Sequence, residues 1–330
     1  MTSSKPKYFS ASFLGATITF ESHLGPELCP IQSLQFDFTS LPNIGSDQTQ
    51  RHLSKIVLKP LSEAPGTKWH FPLKVRWRGK TISWVSQNGT SWSRLITCAD
   101  GSQVYIMGRT LFIYTSSAPT AHQLAFQYGL ALLGEDLERH GYVRLHALTY
   151  IAPNGTSYLV LADAGLGKST LAEYLQQTNL GQVLCDELTF WKDDQLYPCP
   201  LPIAVAQNSQ LSSRNWQLNK GLLPIANPNT GPIAFDHVMV LEADAQATHD
   251  SPQRKKLSAL RRLKIVMGLG LPQMLEIFLR KNNLNALIRT LFFRAKACRR
   301  LNKKVVKVWQ LNCKDALRAT RVAQWLTRAL

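Results

Sequence analysis

The sequence lacks closely spaced cysteine pairs. Six cysteines are scattered over 330 residues, and none of them form the C-x-x-C spacing that is typical of zinc sites and redox motifs. Isolated cysteines favour free thiols in a reducing compartment over a disulfide framework. We therefore expect a cytoplasmic protein without a zinc site or disulfide bridges.

Long hydrophobic runs are also missing. No stretch approaches the roughly 18 consecutive apolar residues that a membrane-spanning helix needs. Residues 1–10 are polar and have no apolar signal-peptide core. The sequence thus predicts neither a membrane span nor secretion, and its length favours two structural units.

Several signature motifs of nucleotide-dependent proteins are absent. Asn219-Lys220 is followed by Gly221-Leu222, and Asn302-Lys303 by Lys304-Val305, so the guanine-reading Asn-Lys-x-Asp motif does not occur. Neither the Leu-Ser-Gly-Gly-Gln motif of transporter ATPases nor the protein-kinase motifs His-Arg-Asp and Asp-Phe-Gly are found. These absences argue against a GTPase, a transporter ATPase and an ordinary protein kinase.

Positive charge is concentrated near the end of the chain. The net charge is +17, and residues 254–330 contain 20 lysines and arginines against two acids, whereas residues 1–253 are nearly neutral. Such a region attracts an anionic partner, for example an acidic peptide, a membrane surface or nucleic acid. A solvated basic surface with no dedicated partner is the alternative.

The residue patterns predict a β-rich module over residues 1–117, which scaffolds or recognises. Short alternating runs separated by turn residues are typical of strands. The predicted strands are 13–20, 34–38, 56–58, 75–85 and 104–114, with hairpin turns at Asn88-Gly89 and Asp100-Gly101.

Residues 118–330 are predicted to form an α/β domain that ends in the basic region 254–330. The predicted helices are 119–140, 168–178, 272–300 and 314–329, and the predicted strands are 142–151, 157–161, 183–184, 238–241 and 305–311. Residues 198–236 read as a long loop region with short strands, and 248–256 as a polar connector.

The motif with the most chemical content lies between the predicted strand 157–161 and the helix that starts at Lys168. It resembles the P-loop (Walker A) pattern G-x-x-x-x-G-K-[ST], with Ala162 at the first glycine position. Free backbone N–H groups at a helix N-terminus bind phosphates. The motif assigns phosphate binding to Ala164, Gly165, Leu166, Gly167, Lys168, Ser169 and Thr170. Lys168 would reach the β- and γ-phosphates, and the Ser169 hydroxyl would hold Mg²⁺.

Two adjacent acids, Asp186 and Glu187, follow the next predicted strand. The loop, one helix and a return strand would place them beside the phosphates, at the carboxyl edge of a parallel sheet. One would accept a proton from an incoming hydroxyl and the other would bind Mg²⁺. A second candidate for the metal-binding acid follows Val238–Leu241, at Glu242 or Asp244.

A histidine, His146, precedes the P-loop-like motif on the strand predicted for 142–151. The turn at Asn154-Gly155 would return the chain and bring this histidine near the phosphate end of the sheet. A purely structural histidine is the alternative.

Three segments together resemble HPr kinase/phosphorylase and its relatives, P-loop kinases with a phosphoenolpyruvate-carboxykinase-like fold. They are Leu145-His146-Ala147, the loop Gly165–Thr170 and Cys185-Asp186-Glu187. The resemblance covers about residues 105–245. It implies that Asp186 is the catalytic acid/base, that Glu187 is a metal or supporting ligand, and that His146 lies by the phosphates.

The sequence departs from the family pattern at Ala162, Thr170 and Glu187. These differences point away from HPr and toward diverged relatives, some of which phosphorylate precursor peptides. The resemblance therefore implies an ATP- and Mg²⁺-dependent transferase, a serine/threonine kinase with a peptide or small-protein substrate. A nucleotide-binding regulator or scaffold without turnover is the alternative, and a nucleic-acid-binding protein is a third possibility, without a recognisable motif.

Overall fold

The computed structural model describes residues 6–38, 41, 52–64, 73–77, 80–87, 91–162, 166–206, 220–226, 228, 231–234, 237–243, 253–254, 288, 292–296, 299, 305–311 and 318–328. These residues form a mixed α/β structure with several sheets. The chain divides into two compact units: Met1–Leu137 with Gln273–Leu284, and Glu138–Pro272 with Asn285–Leu330. The assignment of domains to 1–117 and 118–330 stays a prediction.

The first unit contains an eight-stranded sheet in the order β1-β2-β3-β8-β7-β6-β5-β4. Its strands are β1 (Lys7–Phe13), β2 (Ala16–Ser22), β3 (His52–Pro60), β4 (Leu73–Trp77), β5 (Lys80–Gln87), β6 (Ser91–Thr97), β7 (Gln103–Met107) and β8 (Thr110–Thr115). Helix α1 (Ile31–Phe38) follows β2, and most of helix α2 (Ala118–Arg139) also belongs to this unit. Phe20 on β2 packs on Phe38 of α1, with ring centroids 5.4 Å apart.

The structure corrects several predicted elements in this unit. Residues 34–38 are helical, because Ile31, Leu34 and Phe38 are buried at the spacing of one helix face. The predicted strands 13–20 and 104–114 each contain a turn and therefore span two strands, and the prediction 75–85 covers parts of both β4 and β5. The hairpin at Asp100-Gly101 is confirmed between β6 and β7, whereas Asn88-Gly89 lies outside the described residues.

The second unit contains a six-stranded sheet in the order β12-β10-β11-β18-β20-β19. Its strands are β10 (Leu148–Ile151), β11 (Ser157–Ala162), β12 (Gln182–Cys185), β18 (His237–Ala243), β19 (Gln253–Arg254) and β20 (Val305–Leu311). A four-stranded sheet, β17-β14-β13-β9, consists of β9 (Val143–Leu145), β13 (Leu188–Lys192), β14 (Gln195–Cys199) and β17 (Ile233–Ala234). A hairpin of β15 (Ile203–Ala206) and β16 (Lys220–Leu223) adds a two-stranded sheet.

Alternate residues of β11 point into two different cores. Tyr158 and Val160 pack with helix α3 (Lys168–Gln177) and helix α4 (Arg318–Arg328). Leu159 and Leu161 pack with the four-stranded sheet, against residues such as Trp191. The six-stranded sheet is therefore a middle layer, with helices on one face and the second sheet on the other.

The sheet is mixed, which corrects the prediction of a parallel sheet. Strands β11, β18 and β20 run parallel, but β10 lies between β11 and β12 and is antiparallel to both. The start of β10 and the ends of β11 and β12 consequently meet at one edge. Of the other predicted elements, 272–300 and 248–256 lie mostly outside the described residues, and the helix within 314–329 spans Arg318–Arg328.

Candidate functional site

The predicted phosphate loop connects the end of β11 to the start of α3. Asp163, Ala164 and Gly165 lie outside the described residues. Gly167 caps α3 with a φ of 85°, a left-handed conformation that glycine adopts without strain. Lys168, Ser169 and Thr170 then form the first turn of α3. The local order of strand, glycine turn and helix thus agrees with the predicted one.

Lys168 and Asp186 form a buried ion pair. The Nζ atom of Lys168 donates one hydrogen bond to Oδ1 of Asp186 at 2.7 Å and another to the Asp186 carbonyl oxygen. The side chains are 7% and 0% exposed. The second carboxylate oxygen of Asp186, Oδ2, is buried and has no hydrogen-bond partner among the described residues.

Electrostatics keep Lys168 charged in this setting. Burial alone would lower the pKa of Lys168, since it penalises the charged form. The negative charges of Asp186 and Glu187 outweigh burial and raise the pKa above its ordinary value. At neutral pH a cationic group therefore lies at the N-terminus of α3.

His146 lies beside Glu187, on the same edge of the sheet. Its Nδ1 atom is 3.3 Å from Oε2 of Glu187, and each side chain is about one third exposed. Burial and the positive charge of Lys168 lower the pKa of His146, against the opposing effects of Glu187 and Asp186. The imidazole is consequently biased toward its neutral form.

The chain path explains why His146 reaches this position, and it corrects the prediction that 142–151 is one strand. Residues His146 and Ala147 form a short connection between β9 and β10, which belong to different sheets. Because β10 is antiparallel to β11 and β12, its first residues lie at the edge where those two strands end. His146, just before β10, therefore lies beside Asp186 and Glu187, which come just after β12.

A small polar cluster lies behind the turn that carries Asp186 and Glu187. Thr149 Oγ1 is 2.7 Å from Thr189 Oγ1, and Cys185 Sγ is 2.7 Å from the same Thr189 hydroxyl. All three residues are buried, and burial raises the pKa of the Cys185 thiol. Sequence reasoning missed both threonines, although a lone threonine in each of the apolar strands β10 and β13 was the available signal.

The second predicted acid position also comes to this edge. Strand β18 pairs directly with β11, with Leu241 opposite Ala162, so that Glu242 follows one residue beyond. Glu242 is half-buried. Asp244 lies outside the described residues.

Among the described residues, the carboxylates at this edge are too few to hold a metal ion by protein side chains alone. Within the described part of the chain, no group of three or more His, Cys, Asp or Glu side chains is placed to hold a metal ion. Mg²⁺ usually takes only one or two carboxylates and completes its shell with water and phosphate oxygens. The unpartnered Asp186 Oδ2 and the carboxylate of Glu187, which is about one third exposed, lie near the first turn of α3 and fit that requirement.

Among the described residues, no helix is long and apolar enough to cross a membrane.

Comparisons with known proteins give little further guidance. No protein-family model matches the chain, and no curated protein matches its sequence. A solved structure, described as the HPr(Ser) kinase/phosphatase from Coxiella burnetii, aligns over 55% of this chain and 88% of its own. The TM-score is 0.25 and the identity is 11%. A likeness at this level carries no argument about function, so the proposal below depends on the geometry of this chain.

Proposed function

We propose that this chain transfers a phosphoryl group from ATP, with Mg²⁺, to a serine or threonine hydroxyl of a peptide or small protein. The observation that carries the proposal is the convergence of Lys168 and Asp186 at the edge where β11 and β12 end. A cation beside a helix N-terminus suits a phosphate chain, and a buried carboxylate next to it suits an incoming hydroxyl.

Each residue has a definable task in this reaction. Lys168 and the backbone N–H groups of the first turn of α3 hold the β- and γ-phosphates and neutralise charge. Asp186 accepts the proton of the acceptor hydroxyl as the hydroxyl oxygen attacks the γ-phosphorus; the bond between the γ-phosphorus and the bridging oxygen breaks, and ADP leaves. Ser169 and Glu187 would hold Mg²⁺, which supplies charge neutralisation across the phosphate oxygens when bound. Neutral His146 lies beside Glu187, with its Nδ1 atom 3.3 Å from Oε2.

The test is the replacement Asp186→Asn in the full-length protein. We expect transfer from ATP to an acceptor peptide to fall at least about 100-fold, because general base catalysis contributes roughly that much or more. Nucleotide binding, measured by calorimetry, should persist. Asp194→Asn is the matched control, because it makes the same chemical change in an exposed turn between β13 and β14. Unchanged turnover in Asp186→Asn contradicts the assignment of Asp186.

A nucleotide-binding regulator without turnover is the second candidate. Ala162, at the end of β11, replaces the first glycine of the motif and favours this candidate. Tight ATP binding without transfer to any member of a serine- and threonine-containing peptide library supports the regulator. Transfer to a library member supports the kinase.

A further inference from the structure

The ion pair between Lys168 and Asp186 joins two groups that the proposed reaction needs separately. Two of the three Nζ protons of Lys168 are directed at Asp186, one at the carboxylate and one at the carbonyl oxygen. The Lys168 side chain is only 7% exposed. It is therefore turned toward β12 and away from solvent, where a phosphate chain would arrive.

Asp186 holds Lys168 through one of its two carboxylate oxygens. Its Oδ1 atom accepts from Lys168, and the side chain has no exposed surface. In this arrangement the cation is withheld from phosphate.

We propose that the Lys168–Asp186 pair is a latch that the phosphate chain of the nucleotide opens when it draws Lys168 away from Asp186. This inference rests on the proposed function. A triphosphate carries several negative charges and offers Lys168 a stronger set of acceptors than one carboxylate. Transfer of the ammonium to the phosphates leaves Asp186 buried without its counter-charge.

The latch predicts that removal of the Asp186 charge raises the affinity of the protein for triphosphate. Binding of inorganic triphosphate, without divalent metal, is measured by calorimetry on the full chain and its variants. Asp186→Asn should bind about tenfold tighter than wild type, because the charge-assisted hydrogen bond that binding must break becomes a weaker, neutral one. Asp186→Ala, which removes the accepting oxygen entirely, should show at least the same gain.

Glu187→Gln is the matched control, because it removes the same charge from the same turn while the Lys168 contacts stay in place. Its gain should be clearly smaller than that of Asp186→Asn. In a Lys168→Met background, Asp186→Asn should give no gain, since no latch is left to open. Equal gains in Asp186→Asn and Glu187→Gln, or a gain that persists with Lys168→Met, would show simple charge repulsion and overturn the latch.

The outcome separates the latch from the proposed function. Tight triphosphate binding by wild type with no gain in Asp186→Asn or Asp186→Ala refutes the latch and leaves phosphoryl transfer standing. A gain in both variants, in a protein that transfers phosphate to no peptide, supports the latch and removes the kinase assignment.

Discussion

Two glycines have nearly the same backbone conformation but different surroundings. Replacing each with alanine therefore distinguishes the free-energy cost of backbone strain from that of crowding. Gly155 and Gly181 have φ values of +82° and +87°. A Cβ atom at Gly155 would meet open space, whereas one at Gly181 would lie 2.7 Å from Tyr150 Oη and closer still to Ile151 O. A side chain at position 181 would therefore crowd the turn between α3 and β12, the strand that precedes Asp186.

Gly181→Ala should destabilise the protein more than Gly155→Ala. We expect about 1–2 kcal/mol for Gly155→Ala, from left-handed strain alone. Gly181→Ala should cost about 2 kcal/mol more, because an overpacked contact adds to the strain. Denaturant unfolding of the two variants and wild type measures the difference, and equal losses would contradict the crowding at Gly181.

A second prediction at this scale concerns Glu21 in the first unit. Burial opposes its charged form, but hydrogen bonds and charges from Lys55 and His23 outweigh burial and lower the pKa of Glu21. A lowered pKa means that this stabilisation is complete above the unfolded-state pKa and is lost as the pH falls through the folded-state pKa.

Glu21→Gln should therefore reduce the free energy of unfolding by about 1–2 kcal/mol at neutral pH. The difference from wild type should shrink in acid, once Glu21 is protonated in both states. Denaturant titrations at neutral and acid pH measure this, with Glu27→Gln as the control at an exposed glutamate. A difference that is the same at both pH values would exclude ionisation of Glu21 as its source.

Sequence reasoning identified charged residues of the site better than neutral ones. Lys168 and Asp186 were predicted from a motif and from acids at a strand end, and the structure brings them together with His146 and Glu187. Thr149 and Thr189 were not predicted, because they lie 40 positions apart and their hydrogen bond depends on β10 and β13 packing together. The chemical roles of Lys168, Asp186, His146 and Glu187 stay predictions.

At the scale of elements, α4 is held to α3 by buried apolar side chains. Val322, Ala323 and Leu326 are each 0–1% exposed and belong to the same core as Leu171 and Leu175. Their spacing places them on one face of α4. The last described helix thus supports the helix that begins at Lys168.

Leu326→Ala should cost about 2–5 kcal/mol of unfolding free energy, because it leaves a cavity between α3 and α4. Ile288→Ala is the control, since Ile288 is helical and 57% exposed, and its truncation should cost little. Denaturant unfolding monitored by circular dichroism compares the two variants. A comparable loss of unfolding free energy in both variants would show that packing between α3 and α4 does not explain the effect of Leu326→Ala.

Element types were predicted best where strands and helices are long and uniform in pattern. Helix α2 and strand β20 lie close to their predicted bounds. The errors arose at chain reversals: the prediction treated β9 and β10 as one strand, because nothing in Leu145-His146-Ala147 resembles a turn. Their separation is caused by membership in two sheets, a tertiary property that local residue preference does not encode.

For the whole molecule, the strongest sequence-level property is the charge of +17, concentrated in residues 254–330. Few of these residues lie within the described part of the chain, so the contribution of this region is predicted from charge alone. An acidic acceptor peptide would be attracted over about 8–10 Å at physiological salt.

The Michaelis constant for an acidic acceptor peptide should therefore rise with salt concentration. A neutral peptide with the same serine serves as the control and should show a much weaker dependence. A separate binding measurement addresses the nucleic-acid alternative. Retention of DNA or RNA at about 0.15 M salt would favour it. If the Michaelis constant for the acidic peptide does not change with salt concentration, the basic region takes no part in acceptor binding.

The antiparallel position of β10 has a consequence for how the protein folds. Strands β9 to β13 all lie within residues 143–192, so the edge that holds His146, Lys168 and Asp186 is built from contacts between near neighbours in the chain. The parallel partner of β11 begins only at His237, and the next at Val305. Because short-range contacts close at lower entropic cost, the amides of β10 to β12 should gain protection from hydrogen exchange before those of β18 and β20.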